Sequence, residues 1–513
     1  MSGSDSRTVG VIDIGSTAIR LVVAEIDEDG SWRRLDRAIR PVALGRDVFM
    51  SGVLSAESMR QAIKILAGFR ELIRGWQLNQ EDVRVIATSA IREAKNRDTF
   101  VDRVQIRTGF RINIVEGIEE NHLTYIAVQD AISSMRPQFS RSSAMILEVG
   151  GGTTEIMLLQ RGKMVAAHSL RIGTVRMEQQ VQPELRSTER IEEYLRENIR
   201  VTREVLNTEM RMDRIRYFVA VGGDARLAAR RHGRQEGESF WVIDKPGFDK
   251  FVIELRRTTI DETVRRLDVS YTEAEGLVPA LLTYKLFLDA TSADQVIVPD
   301  VSIREGVLMS FALGSERLVE EQFYSQVIAS ATGLGRKFHF DEKHALQVAH
   351  LALQIFDQFQ EDHGMDSRAR LLLEVAALLH DVGNFIRAIG HHKHGQYIVE
   401  NSEIFGFSRA DIRIVANAVR YHRKSGPNSA HVNYMTLRRE HRITVLKLAA
   451  ILRVSDSLDR GHAQRIKNVT LERQEDDLLL HCEYSGDISV EKYGVQLKGG
   501  MFEEVFGYRV VVI

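Results

Sequence analysis

The stretch VGVIDIGSTAIRLVVAEI, residues 9–26, is an apolar run ending in Asp13, a Gly-Ser-Thr turn and a second apolar run. Residues 144–161, AMILEVGGGTTEIMLLQR, repeat the pattern with Glu148 in place of the aspartate. Each copy reads as strand, tight turn, strand. The chain therefore carries one acid-tipped hairpin twice. Glycine lets backbone N–H groups converge on anionic oxygens, and a carboxylate beside them anchors Mg2+ through water. Two such hairpins facing across a cleft would grip a phosphate chain from both sides. A single glycine-rich hairpin is usually only a turn, so the repetition, with the acid in register, is what points to function.

At 513 residues the chain exceeds one core, and three or four domains are expected. Hydrophobic residues make up 44% with only 7 Pro, and no run of about 18 uncharged apolar residues occurs, so no membrane span is expected. The opening MSGSDSR has no apolar segment of a secretory signal and reads as a short flexible leader over residues 1–7. The single cysteine, Cys482, excludes an intrachain disulfide and fits a reducing cytoplasm. A net charge of −2 is not the footprint of a nucleic-acid binder, so a polyanion must be held by local basic groups. Of 16 histidines, 13 follow residue 330, which assigns the second half a chemistry of its own.

Residues 8–137 alternate strands with helices. Ser55 reads as a helix N-cap, followed by Met59, Ile63, Leu66, Phe69 and Ile73 at helical spacing. A helix is expected from about Ile118. Residues 138–318 form a second mixed unit containing a charged helix near 187–206. Within it YFVAVGGDARLAARR is a strand, a double-glycine turn and a helix capped by Asp224. From Gly314 and Ser315 the pattern becomes almost continuously helical, giving an all-α domain over 319–465. Short alternating runs return over 466–513, a small strand-rich cap.

Five segments in order, DIGSTAIRL (13–21), ATSAIREAKN (87–96), VEGIEEN (115–121), EVGGGTTE (148–155) and SIREGVL (302–308), resemble the Ppx/GppA phosphatases. That family comprises exopolyphosphatases and guanosine pentaphosphate phosphohydrolases in the actin-like ATPase superfamily. The resemblance implies an α/β fold: two actin-like, ribonuclease H-like domains, then an all-α HD-type domain and the strand-rich tail. It implies metal-dependent hydrolysis of a terminal phosphoanhydride, with Mg2+ or Mn2+ and a homodimeric assembly. Glu120 matches the catalytic base that would activate water. Read locally, Glu119 and Glu120 are also what the first turn of any helix favours. Asp13, Glu148 and Glu155 would lie at the metal. Gly15, Ser16, Thr17, Gly150, Gly151, Gly152 and Thr153 would meet phosphate oxygens. Arg92 is the guanidinium expected on the phosphate chain. Ser302, Arg304, Glu305 and Gly306 match a stretch whose local role is structural.

Two departures stand out. Glu148 replaces the family's aspartate, which moves the carboxylate by about 1.5 Å. Thr17 and Ala18 follow Ser16 where the family has an asparagine and a serine. These losses favour, as one alternative, a sensor binding polyphosphate or an alarmone with little turnover.

In the helical half, His344, the pair His380–Asp381, His394, His422 in RYHRK and Asp456 follow the order of an HD-type phosphohydrolase site. Imidazole and carboxylate suit one or two divalent transition metals that activate water on a phosphoester. His391 and His392 compete with His394 for its place; His394 is preferred because a helix-like GQYIVEN follows it. The leading expectation is an exopolyphosphatase acting through Glu120. Guanosine pentaphosphate hydrolysis, the sensor, and a nucleotide phosphohydrolase working at the histidine site stand beside it.

Overall fold

The computed structural model describes residues 6–27, 30–180, 188–312 and 316–513. The chain divides into a first unit ending at Gln322 and a second running from Phe323 to Ile513. Most of the leader, and Gly314 and Ser315 where the sequence pattern changes, lie outside the described residues.

The first unit holds two sheets built to one plan. In the first, β1 (Arg7–Ile14), β2 (Ala18–Ile26), β3 (Trp32–Pro41), β4 (Val83–Ala87) and β5 (Ile112–Ile114) lie in the order β3-β2-β1-β4-β5. The hairpins are antiparallel, and β1-β4 and β4-β5 are parallel. The second sheet contains β6 (Ser143–Val149), β7 (Thr154–Gln160), β8 (Lys163–Leu170), β9 (Ile215–Val221), β10 (Arg234–Gln235), β11 (Phe240–Asp244) and β12 (Gln295–Pro299). Its order, β10-β11-β12-β9-β6-β7-β8, repeats the first plan in β8-β7-β6-β9-β12 and adds an antiparallel pair at one edge. Central strands here are buried on both faces and read as continuous apolar runs. Val9, Val11, Ile12 and Ile14 in β1 are fully buried, as are Met145, Ile146 and Leu147 in β6.

Helix Ala56–Gly75 follows the expected physics. Ser55 accepts from Ser58 N–H, and Met59, Ala62, Leu66, Phe69 and Ile73 bury one face against β1 and β2. Ala62 takes the buried place expected of Ile63. Helix Gly223–His232 differs: Gly222 at φ 140° is its N-cap and Asp224 sits inside the first turn. The charged helix runs Thr188–Glu209.

One helix crosses the expected boundary. Ile303–Ala312, placed by sequence in the unit 138–318, returns to the first sheet, where Ile303, Val307 and Leu308 share a core with Val9, Val11, Val22 and Ile86. The Glu305 side chain reaches back to start it: Ser302 N–H and Oγ donate to Glu305 Oε2 at 2.8 and 2.6 Å, the carboxylate half of a capping box. Gly306 is required where it stands, because a Cβ there would lie 2.1 Å from Leu123 O on helix Gly117–Ala131.

The second unit packs Glu342–Gln358, Ser367–Leu379, His391–Glu400, Arg409–Tyr421 and Arg439–Ser457 around Val348, Leu372, Val415 and Leu448. Asp341, Asp366 and Ser408 cap three of these helices through side-chain oxygens. The tail carries β13 (Ile466–Gln474), β14 (Asp477–Tyr484) and β15 (Arg509–Val512), with helices Ser489–Lys498 and Gly500–Phe506 between the last two. Ile466, Leu480 and Phe502 belong to the same core as the helices, so the tail is a layer of this unit. Among the described residues no helix is long and apolar enough to cross a membrane.

Candidate functional site

The two acid-tipped hairpins are closed by the same hydrogen bond. Gly15 N–H donates to Ala18 O at 3.1 Å, and Gly150 N–H donates to Thr153 O at 2.9 Å. Across the strands Asp13 pairs with Arg20, and Glu148 pairs with Glu155. The turns touch: a Cβ on Gly151 would lie 2.9 Å from Ser16 Cβ, and one on Gly152 would lie 2.3 Å from Phe49 and 2.8 Å from Ser89 Oγ. Ser16 Oγ is itself 3.3 Å from Ser89 Oγ. Only glycine permits this approach. Arg176 fastens the seam, donating to Gly152 O at 3.1 Å and to both Glu93 oxygens at 2.8 and 2.9 Å while lying over the Phe49 ring. Thr17 O accepts from Val42 N–H, and Thr153 is buried behind the second turn beside Glu155.

Asp13, Glu120 and Glu148 lie near enough to act on one another electrostatically. Asp13 is buried, with Arg304 Nη1 at 3.3 Å and Arg20 Nη1 at 3.7 Å from the same oxygen. Glu120, in the first turn of Gly117–Ala131, lies 3.2 Å from Arg92 Nη1. Burial raises the Glu120 carboxyl above its ordinary range and Arg92 opposes it. Burial, reinforced by the Glu120 charge, carries Glu148 up to about 7, although Thr124 Oγ1 donates to it at 2.7 Å. Glu155 is raised further, by burial and then by Glu120.

Two expected site residues have partners of their own in this geometry. Arg92 Nη1 donates to Val115 O at 2.7 Å as well as to Glu120, so this nitrogen anchors the acid. Glu155 has both oxygens engaged, by Asn121 Nδ2 at 3.1 Å and Ser169 Oγ at 2.7 Å, which leaves it a poor metal ligand. Likewise the N–H groups of Gly15 and Gly150 close their own turns. Among the described residues no three carboxylates here bring oxygens within 4.8 Å of one another.

The structure adds groups to which sequence reasoning gave no part in this site. Arg20 is seven residues beyond Asp13, its register partner. Arg304 lies in SIREGVL, read as structural. Arg226 and Asp224 follow the double glycine after β9. Arg226 acts on Glu148, and Asp224 is pushed by burial to about 7 against the pull of Arg226 and Arg20. The signal was present, since VGGDAR is a third strand followed by a glycine turn and an acid.

The donor set at this cleft is all oxygen, and buried Asn121 Oδ1 has no hydrogen-bond partner among the described residues. Both features fit a hard divalent cation such as Mg2+, which typically takes one or two carboxylates and leaves its other positions to water and phosphate.

The second unit assembles a histidine cluster. His344 Nε2 is 3.2 Å from His380 Nε2, and each is 3.7 Å from Asp456 Oδ1. Asp381 Oδ1 lies 3.8 Å from His380 Nε2, 3.1 Å from His391 Nε2 and 3.8 Å from His422 Nε2. His391, not His394, is the ring of helix His391–Glu400 that lies with Asp381 and His422. Burial alone would lower His344, but Asp456 and Asp459 carry it up to about 9; His422 is pushed down to about 3 by burial and by His380.

Comparison with known proteins places the chain. A family model described as the Ppx/GppA phosphatase family matches residues 22–314, and one described as Ppx/GppA phosphatase, domain III, matches residues 328–487. The chain belongs to the Ppx/GppA phosphatase family, hydrolases acting on phosphoanhydride bonds. It is 23% identical over 467 residues to a guanosine-5'-triphosphate,3'-diphosphate pyrophosphatase of Pseudoalteromonas translucida, covering 86% of each chain. A protein of the same name from Aliivibrio fischeri is 22% identical over 500 residues, covering 94% of this chain and 93% of that one. The crystal structure of an exopolyphosphatase from Cytophaga hutchinsonii aligns with TM-score 0.53 and 21% identity over 60% of this chain and 98% of that chain, a likeness of fold.

Proposed function

We propose that the first unit is an exopolyphosphatase site that hydrolyses the terminal phosphoanhydride of inorganic polyphosphate with Glu120 as general base. The observation carrying this reading is Glu120 itself: half-buried, within electrostatic reach of Asp13 and Glu148, raised by desolvation, and held by Arg92 at 3.2 Å. A carboxylate whose proton affinity is raised is a stronger base toward water. Arg92 fixes one oxygen of Glu120, so the other faces the attacking water. The water oxygen forms the new bond to the terminal phosphorus, its proton passes to Glu120, and the bridging P–O bond breaks with its electron pair leaving on the shortened chain.

Asp13 and Glu148 would hold a divalent cation, which supplies charge neutralisation for the phosphate oxygens when bound. Arg20, Arg226 and Arg304 hold the acids in their ionised geometry, and the turns at Ser16–Thr17 and Gly151–Thr153 meet the anion. Positioning and charge are most of what phosphoryl transfer asks of a protein. Glu155 is a supporting residue that orients Asn121.

Guanosine pentaphosphate is the second reading, favoured by the names of relatives matched over 86% and 94% of this chain. Orthophosphate release from polyphosphate and from guanosine pentaphosphate with Mg2+ or Mn2+ tests both. Glu120→Gln is expected to lose about 10²–10⁴-fold on the true substrate. A Glu120→Gln enzyme releasing phosphate at the wild-type rate refutes the assignment, and a higher kcat/KM on guanosine pentaphosphate selects the second reading.

A further inference from the structure

We infer that the Tyr284 hydroxyl is a wedge between the carboxyl ends of β6 and β9, and that it positions Glu148 and the second glycine turn for the reaction. Tyr284 is fully buried on helix Tyr271–Leu288, its ring in one core with Leu147, Val149, Phe218 and Ala220. Val149 N–H donates to Tyr284 Oη at 3.2 Å, and the hydroxyl donates to Val221 O at 2.5 Å. Burial pushes the phenol well above its ordinary value, so the hydroxyl keeps the hydrogen that it donates. Oη therefore stands between an amide and a carbonyl that a continued parallel ladder would join directly.

The first sheet shows the same place without a wedge. There β1 and β4 pair through Asp13 and Ile86 and on to Ile14 and Ala87, and Thr88 N–H still reaches Ile14 O at 3.4 Å. In the second sheet the pairing of β6 with β9 stops at Glu148 and Val221, the counterparts of Asp13 and Ile86. With a hydroxyl interposed at a roughly tetrahedral angle, Val149 N and Val221 O stand about 5 Å apart, against about 2.9 Å for a direct bond. The backbone is shaped for the intruder: Gly222 holds φ 140°, and a Cβ there would lie 2.8 Å from Oη. Only glycine meets both conditions.

Position matters here because ligands of open α/β sheets sit beyond the carboxyl ends of the strands. The amide held by Oη belongs to the peptide bond joining Glu148 to Val149, so its place sets the carboxylate on one side and the turn from Gly150 on the other. On the other strand the wedge sets off the turn that leads to Arg226, which acts on Glu148. Tyr284 works through Val149 and Val221 and is a positioning residue. Tyr284→Phe keeps the ring in its core and removes only the hydroxyl. The buried amide and carbonyl then satisfy each other by closing about 2 Å, since neither can stay unpaired without cost. A displacement of about 1 Å at a reacting group is enough to lose about a hundredfold in rate.

The inference rests on reading this cleft as the phosphoanhydride site, and two readouts keep the two apart. The crystal structure of Tyr284→Phe is expected to show Val149 N about 2.9 Å from Val221 O. Orthophosphate release from polyphosphate and from guanosine pentaphosphate is titrated with Mg2+. On the better substrate kcat is expected to fall about ten- to a hundredfold and the half-activating Mg2+ concentration to rise about tenfold or more, with melting within a few degrees of wild type. A role in packing alone would lower the melting temperature and leave the Mg2+ midpoint where it was. Strands that stay apart in the variant, bridged by water or not, overturn the inference. So does a wild-type kcat and Mg2+ midpoint in Tyr284→Phe while Glu120→Gln still loses release. If Glu120→Gln itself releases phosphate at the wild-type rate, the reading of the cleft fails first and takes the inference with it.

Discussion

Glu148 should make the first unit less stable as pH rises, and replacing it with glutamine should abolish that loss. Burial and the neighbouring Glu120 lift its carboxyl from the ordinary 4.5 to about 7. In the unfolded chain the group ionises near 4.5, while in the folded protein it keeps its proton until about 7. Between those values the native state binds more protons than the unfolded one, so stability falls with rising pH and levels off above the folded value. At about 1.4 kcal/mol per pH unit, the full span corresponds to about 3 kcal/mol. Glu148→Gln keeps the side chain's shape and the acceptor for Thr124 but never ionises. The variant should match wild type at pH 4.5 and exceed it by about 2–3 kcal/mol at pH 8, a shift of about 4–8 °C in the melting of the first unit. The assay is thermal or urea unfolding in EDTA at several pH values, each variant compared with wild type at the same pH so that other titrations cancel. Added Mg2+ should narrow the gap at pH 8, because a cation favours the ionised carboxylate that glutamine lacks. A difference that stays constant from pH 4.5 to 8, or that favours wild type at pH 8, refutes the reasoning.

Gly152→Ala should cost about 1–3 kcal/mol, since its Cβ would lie 2.3 Å from Phe49. Phe49→Ala in the same chain should recover part of that loss, and a double-mutant cycle on unfolding free energies measures the coupling. Arg92→Met should move the acidic limb of the kcat/KM profile upward by about 1–3 pH units, because it removes the charge that holds the Glu120 proton affinity down. An unmoved limb would show that Arg92 does not act through Glu120.

The repeated hairpin was legible because acid, glycine turn and flanking strands recur at one spacing, and spacing is what hydrogen-bond register conserves. Helix Ala56–Gly75 was legible for a similar reason, through Ser55 and a 3.6-residue period. Long-range placement was not. Arg304 reaches Asp13 across 291 residues because a helix folds back onto the first sheet, and no local pattern encodes that return. The roles of Arg92 and Glu155 depended on which neighbours had already claimed their polar atoms, something motif position does not report. In HHKHG three imidazoles compete within one turn. The ring that points inward is set by where the helix begins, at His391, and helix ends are the least regular part of any periodic reading.

Arg20 and Glu155 stand at the same rung of their separate hairpins. Two identical hairpins would present a linear anion of repeating units with the same surroundings from either direction. Because one repeat carries a guanidinium where the other carries a carboxylic acid, the two hairpins do not offer an anion the same surroundings, and the repetition of the fold is not a repetition of charge.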